Sequence, residues 1–414
     1  MDKQTDFIRS TDPDDFANHT SQLGHADQTT SHVLNFTIHK IKLPHIVDSE
    51  GSFVIDTDGK RYLDLESGVW CTALGHCNPG VNAIIHHQID RIMHTGFSYA
   101  HPVLEEAAVE VLKVTGHEYG ACLFLCSGSE AIEVSRQIAQ HLTGFKRSMT
   151  LHDSYLGSYS STINRDTGWF LFDWRPCMTC AQASTCDSKC PLLQAIPHDI
   201  ADFTFEPGSS SGFVRFPPVA LIQKIVEIVR GAKGKIIANE VTTGVGRTGR
   251  WFGFQHYAIE PDLIAIGKGI GNGYPVSVAS MSQGIYEELK DSGFHYSQSH
   301  QNDPLGASVV QEVIRQIVQG DVIAQAAQTG AWLRSQLEGL IDNRIILAVR
   351  GRGLMLAIDV RDADVSEKMQ NALLARGYIV GNRKGMLRLD PPLHITRQEL
   401  QGFVDALKEI VGSV

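Results

Sequence analysis

An α/β fold, with a large domain on a mostly parallel sheet covered by helices and a smaller α+β domain, is predicted by three observations. Between about residues 81 and 263, short apolar runs alternate with stretches of helical periodicity, the mark of βα units. Past about residue 308 this gives way to a long helical pattern and then to strand patterns separated by a helix. The 414 residues, 43% hydrophobic and 20% charged, hold enough apolar surface for more than one core.

Along the chain, residues 1–35 are polar and aperiodic and read as an arm. The stretch SFVIDTDGKRYLDL follows, two short strands around Asp58-Gly59, a dipeptide suited to a tight hairpin turn. The run ACLFL at 121–125 precedes a helix whose apolar side carries Ala131, Ile132, Val134, Ile138, Ala139 and Leu142. Ile222, Ile225, Val226 and Val229 repeat at helical spacing ahead of the run Lys235-Ile236-Ile237-Ala238. Val309, Val313, Ile314 and Ile317 mark the long helix, and LMLAIDV and MLRLDPPL the later strands. The boundaries drawn from these patterns are an arm at 1–35, a small domain from 36–75 and 309–414, and a large domain at 76–308 with a cysteine-rich insertion at 174–191.

The chain carries 36 Lys and Arg against 46 Asp and Glu, a net charge of −10, which repels polyanions and argues against nucleic acid as a partner. Its start lacks the basic-then-apolar order of a signal peptide, and no apolar run reaches the roughly 18 residues of a membrane span. A cytoplasmic chain without membrane contact is expected, in which the eight cysteines stay reduced.

In an open parallel sheet, ligands bind beyond the carboxyl ends of the strands. Three turns there stand out. Cys126-Ser127-Gly128-Ser129-Glu130 follows ACLFL and opens a helix whose free N–H groups favour an anion; a phosphate cradle and a plain helix cap both fit. Asn239-Glu240-Val241 follows KIIA. Gly267-Lys268-Gly269 follows DLIAI; a lysine there within a pocket suits Schiff-base chemistry with a carbonyl compound, a solvated surface lysine being the alternative.

With NEVTTGVGRTGRWFGFQHYAIEPDLIAIGKGIGNGYPVSV at 239–278, GKRYLDLESGVWCTALGH, SGSEAIEVSRQIA, FEPGSSSG, VRGRGLMLAI and LRLDPPLHIT, these turns make the chain resemble the class III aminotransferases over about residues 35–410. The resemblance implies a fold-type-I transferase with a seven-stranded sheet, dependent on pyridoxal phosphate (PLP), and a homodimer with shared active sites. It implies Lys268 as the lysine of the internal aldimine and Gly128 and Ser129 as amide donors to the cofactor phosphate. Tyr155 would stack on one face of the ring and Val241 would pack against the other. Ser299 stands where the family has a threonine that reaches the neighbouring subunit's phosphate. Glu206 and Arg388 match a pair in members that use glutamate or 2-oxoglutarate, the arginine binding the α-carboxylate and the glutamate neutralising it in turn; a structural ion pair is the other reading.

One departure bears on the chemistry. The family places an aspartate against the pyridine nitrogen 29 residues before its lysine, and this chain has Asn239 there. A carboxylate keeps that nitrogen protonated, whereas a neutral amide holds the proton less firmly, so slower or more tightly controlled carbanion chemistry is expected.

Cys177, Cys180, Cys186 and Cys190 follow the pattern C-x2-C-x5-C-x3-C and are followed by proline. Four thiolates this close in sequence converge readily on one ion or cluster. A structural 4Fe–4S cluster is the expectation, with zinc as the alternative and free thiols or disulfides as a third reading; Cys71, Cys77, Cys122 and Cys126 read as core or turn residues. The function expected is a PLP-dependent transaminase exchanging an amino group between an amine or amino acid and a 2-oxo acid. The alternatives are an amino-acid racemase or epimerase on the same fold and a non-catalytic, metal-sensing protein.

Overall fold

Strands that are buried along their whole length form the centre of the largest sheet. Ile200–Phe205, Leu263–Ile266 and Ser277–Met281 have no exposed position, the pattern of strands covered on both faces. The computed structural model describes residues 42–43, 45–208 and 212–413, so the arm expected at 1–35 lies outside the described residues. The sheet has seven strands in the order Ala121–Leu125, Ser277–Met281, Leu263–Ile266, Lys235–Asn239, Ile200–Phe205, Arg147–Leu151 and Trp169–Phe172. Ser277–Met281 runs antiparallel to both neighbours and every other pair is parallel.

Alternate residues of the central strands feed two different cores, as the two-residue period of a strand requires. Ile236, Ala238, Ile264 and Ile266 face one core together with Leu221, Ile222, Ile225 and Val229 of the helix Val219–Gly231. Ile237, Leu263 and Ala265 face the other, against Ala131, Ile132, Val134 and Ile138 of the helix Gly128–Thr143. That second helix starts at a reciprocal cap. Ser127 Oγ accepts from the Glu130 N–H at 3.3 Å while the Glu130 carboxylate accepts from the Ser127 N–H at 2.9 Å. The cap fixes where the helix's free N–H groups point.

The hairpin expected at Asp58-Gly59 joins Phe53–Asp56 to Arg61–Asp64, and Gly59 takes φ +78°, a conformation that favours glycine. These strands pair further with Ile46–Glu50 and Tyr378–Ile379. A third sheet orders Ile346–Arg352, Met355–Val360, Met386–Leu389 and Gly381–Asn382. Leu63, Leu333, Ile358, Leu387, Phe403 and Leu407 share the core of this part of the chain.

The expected boundary at 308/309 falls inside the helix Pro304–Gln319, whose Val309, Val313, Ile314 and Ile317 pack into the core of the large sheet. The next helix, Val322–Glu338, and the strand Ile346–Arg352 carry weak sequence signals. The helix buries Ala326, Gly330, Leu333 and Leu337, half of them too small to register as an apolar stripe, because a Cβ at Gly330 would meet the Gly353 carbonyl oxygen at 2.1 Å. The strand carries two arginines and a glycine. No helix among the described residues is long and apolar enough to cross a membrane.

Candidate active site

The carboxyl ends of the large sheet's strands surround a cavity of about 330 Å3, lined among others by Gly128, Ser129, Tyr155, Asn239, Val241 and Lys268. Six of the residues singled out in the sequence thus meet at one place, and Glu206 lines it as well. Glycine is required at the cradle, since a Cβ on Gly128 would stand 2.6 Å from a Val241 methyl. Gly157, at φ +105°, lets the chain pass so close that its Cβ would meet Ser129 Oγ at 2.7 Å, and the neighbouring Ser158 N–H donates to that same oxygen at 3.1 Å.

Lys268 follows the strand Leu263–Ile266 after one extended glycine and itself takes φ +48°. A non-glycine residue held there costs about 1–3 kcal/mol, which the surrounding packing must offset. Burial pushes the Lys268 amine below the ordinary lysine value, while Cys71 and Glu206 act in the opposite direction. The cavity therefore favours a neutral, nucleophilic amine.

A second strained turn faces the lysine. Ser67, Gly68, Val69 and Trp70 have φ of 49°, 54°, 61° and 68°. This left-handed turn presents the indole of Trp70 with the Lys268 Nζ 5.6 Å from its centroid and the Arg388 guanidinium carbon 3.9 Å from it. Arg388 is 5% exposed, and its ion-pair partners are Glu66 at 2.8 Å and the fully buried Asp390 at 2.5 Å.

Asn239 is built into the same network. Its Nδ2 donates to the Tyr155 carbonyl at 2.8 Å, and its Oδ1 accepts from the Val241 N–H at 3.3 Å. Glu206 accepts from the Tyr155 N–H at 3.1 Å and from the Thr242 hydroxyl at 3.3 Å. Glu240 beside it turns away from the cavity. Burial pushes it up to about 7, and its carboxylate takes the Gly253 and Phe254 N–H groups and the Thr243 hydroxyl. Ser299 is exposed and is not among the residues lining the cavity. Sequence reasoning missed Glu66, Trp70 and Cys71; Cys71 lines the cavity, as does Cys126, which the sequence placed in the first candidate turn without giving it a role. The signal for Cys126 was its place directly after a strand, and for Trp70 and Cys71 the stretch ESGVWC.

The four-cysteine segment lies after the edge strand Trp169–Phe172. Cys177 is buried, Cys180 exposed, and Cys186 and Cys190 half-buried, all four as free thiols.

A family model described as aminotransferase class III matches residues 38–163 and 179–411, most of the chain. The chain belongs to the class III aminotransferases. An acetylornithine aminotransferase of Mycobacterium bovis is 30% identical over 379 residues, covering 88% of this chain and 91% of that protein. One from Bacillus subtilis is 27% identical over 373 residues, 89% and 94% of the two chains. Among solved structures, a Bacillus anthracis aminotransferase superposes with a TM-score of 0.85 at 22% identity, covering 98% of this chain and all of that one, a likeness of fold. The molecule is accordingly a PLP-dependent aminotransferase of fold type I. The cavity fits that group: free amides at a helix start suit a phosphate, and the desolvated Lys268 suits an aldehyde.

Proposed function

We propose that this class III aminotransferase exchanges an amino group between an amine or amino acid and a 2-oxo acid, with glutamate or 2-oxoglutarate as one member of the exchange. What supports this reading is a buried guanidinium, Arg388, which lies over the same indole as the lysine amine. It is not among the residues lining the cavity and is paired with Glu66 and Asp390, and its role here is to receive a planar carboxylate that displaces Glu66. Relatives named acetylornithine aminotransferase carry an amino acid in their names, and an amino acid brings such a carboxylate.

PLP, when bound, supplies an electron-withdrawing ring that takes up the electron pair released as the substrate's α-C–H bond breaks. The protein's part is to hold and time this. Gly128 and Ser129 N–H groups would take the phosphate, and Val241 and Tyr155 would hold the ring. Lys268, by its Nζ, takes the α-proton and returns it. Asn239 would offer Oδ1 to the ring nitrogen, and Glu206 and Arg388 would set the charge met by the incoming carboxylate. Incubation with glutamate in the absence of an acceptor is expected to release 2-oxoglutarate in a single turnover. Return of glutamate of the opposite hand instead would make the enzyme a racemase.

Asn239 makes a second expectation. Asn239→Asp should raise the rate of the glutamate half-reaction by about tenfold, the worth of one pKa unit at the ring nitrogen. It should also weaken PLP binding, because a carboxylate cannot donate to the Tyr155 carbonyl that Nδ2 now holds. Stopped-flow half-reactions with the PLP dissociation constant measure both, and an unchanged half-reaction rate would refute the role given to the amide.

A homodimer with shared sites is part of this proposal. Phe97 and Tyr99 are 63% and 74% exposed and line a cleft with Gln301 and Asn302, next to the exposed Ser299. Apolar surface of this kind beside the residue expected to serve a neighbouring site suits cover by a second copy. The four cysteines are read as a metal centre, zinc and iron–sulfur being the species that such a donor set takes.

A further inference from the structure

The four-cysteine segment is the largest feature that amino-group transfer leaves unused. The class III match breaks over residues 164–178, so the edge strand and Cys177 stand in sequence outside it. Beyond the strand the chain runs in single turns, Arg175–Met178, Ala183–Thr185 and Pro191–Gln194. From residue 175 to residue 191 the one buried residue is Cys177. So little apolar burial does not offset the entropy of ordering such turns, and small segments of this kind need a cross-link. No disulfide joins the four thiols. Three of them are nevertheless turned toward the protein, Cys177 within the main core and Cys186 and Cys190 packed against it.

The spacing of the sulfurs distinguishes the two metal chemistries. A tetrahedral zinc ion about 2.3 Å from each thiolate holds the sulfurs about 3.8 Å apart. Among the described residues, no three of these sulfurs lie within 4.8 Å of one another, although the other three thiols all act electrostatically on Cys177. Cys186 and Cys190 come within hydrogen-bond reach of each other, but no third sulfur joins them as one zinc ion requires, and a cluster, in which a cube of iron and sulfide separates the ligands, takes the more open group. The final cysteine followed by proline, Cys190-Pro191 after three intervening residues, also ends the ferredoxin-type run.

We propose that Cys177, Cys180, Cys186 and Cys190 hold a 4Fe–4S cluster that anchors the loop carrying Tyr155. This rests on the reading of the segment as a metal centre. The connection is short. The Cys177 N–H donates to the Trp174 carbonyl at 2.8 Å, and the buried Trp174 donates its Nε1–H to Asp153 at 2.8 Å. Tyr155, two residues on, has its backbone held by Glu206 and Asn239 inside the cavity. Four cysteine ligands leave no iron position open to substrate, and amino-group transfer moves electron pairs, so the cluster positions and does not react.

Protein purified without air from iron-supplied cells tests the cluster. Because PLP is itself coloured, the Lys268→Ala variant is used alongside. It is expected to lose the cofactor band while keeping iron and acid-labile sulfide in equal amounts and an absorbance that bleaches with dithionite. Zinc without sulfide would overturn the cluster and leave the metal centre standing, whereas neither metal would overturn both. For the anchoring role, Trp174→Phe should keep its iron yet bind PLP about 2- to 30-fold more weakly, the range of coupling carried by packed networks. Cys186→Ser should lose iron and show the same weakened binding. A Trp174→Phe protein with unaltered PLP affinity would overturn the anchoring role even if Cys186→Ser fails to fold.

Discussion

Lys268→Ala is expected to lower the rate of amino-group transfer by about 10²- to 10⁴-fold, the usual worth of a positioned acid–base group, with little effect on folding. The residue's place explains both halves. Lys268 lines the cavity together with Gly128 and Ser129, its amine 5.6 Å from the centroid of the Trp70 indole, so the chemistry loses its base. Alanine at φ +48° meets the same backbone cost that lysine already bears, so thermal stability should stay close to that of the parent. Burial has lowered the lysine's pKa, so the neutral amine is present at a lower pH than for an exposed lysine. The parent's rate should therefore rise with pH through that depressed value, and the variant should lack this limb. Single-turnover rates across pH, with borohydride reduction and mass spectrometry of the peptide containing residue 268, measure the outcome. A variant within a few-fold of the parent, or an adduct fixed to another lysine, would end the assignment.

The sheet was legible in the sequence where its strands are apolar at consecutive positions, as in Leu263–Ile266, and where its covering helices carry regular stripes, as in Ile222, Ile225, Val226 and Val229. Ile200–Phe205, by contrast, carries Asp202 and Thr204 and was not singled out. Elements whose packing depends on small residues were not. The helix Val322–Glu338 approaches its neighbours through Ala326 and Gly330, and closeness of approach leaves no periodic apolar mark. The long helix Pro304–Gln319 shows a different limit. Its stripe was plain, but a stripe does not say which core it enters, and this one enters the core of the large sheet.

The site divides in the same way. Gly128, Asn239 and Lys268 were found because a strand end followed by small residues marks a ligand position in a parallel sheet. Trp70 lies in a left-handed turn that Glu66 directly precedes, and no local pattern foretells that turn beyond the single glycine Gly68. Long-range pairing is likewise silent in sequence. Arg388 was expected to be balanced by Glu206, and its ion pairs are with Glu66, 322 positions earlier, and Asp390.

That pairing sets up the second large effect. Arg388→Ala is expected to destabilise the fold by about 3–5 kcal/mol, because Asp390 is fully buried and would lose the guanidinium that balances it. Burial already raises the Asp390 carboxyl above its ordinary value, and Arg388 holds it down. Without the arginine the folded protein binds that proton more tightly than the unfolded chain does. The deficit should therefore shrink on acidification through the raised pKa and be largest above it, which melting curves across pH will show. Affinity for 2-oxoglutarate should fall by about 10- to 150-fold, the worth of one hydrogen bond to a charged group. Glu66→Gln separates a binding role from a structural one. If Glu66 occupies the guanidinium until a substrate carboxylate displaces it, removing its charge frees the anchor and lowers the KM for 2-oxoglutarate. A purely structural arginine predicts a less stable protein with an unchanged KM in the Glu66→Gln variant, and unchanged 2-oxoglutarate affinity in Arg388→Ala would remove this residue from the substrate site.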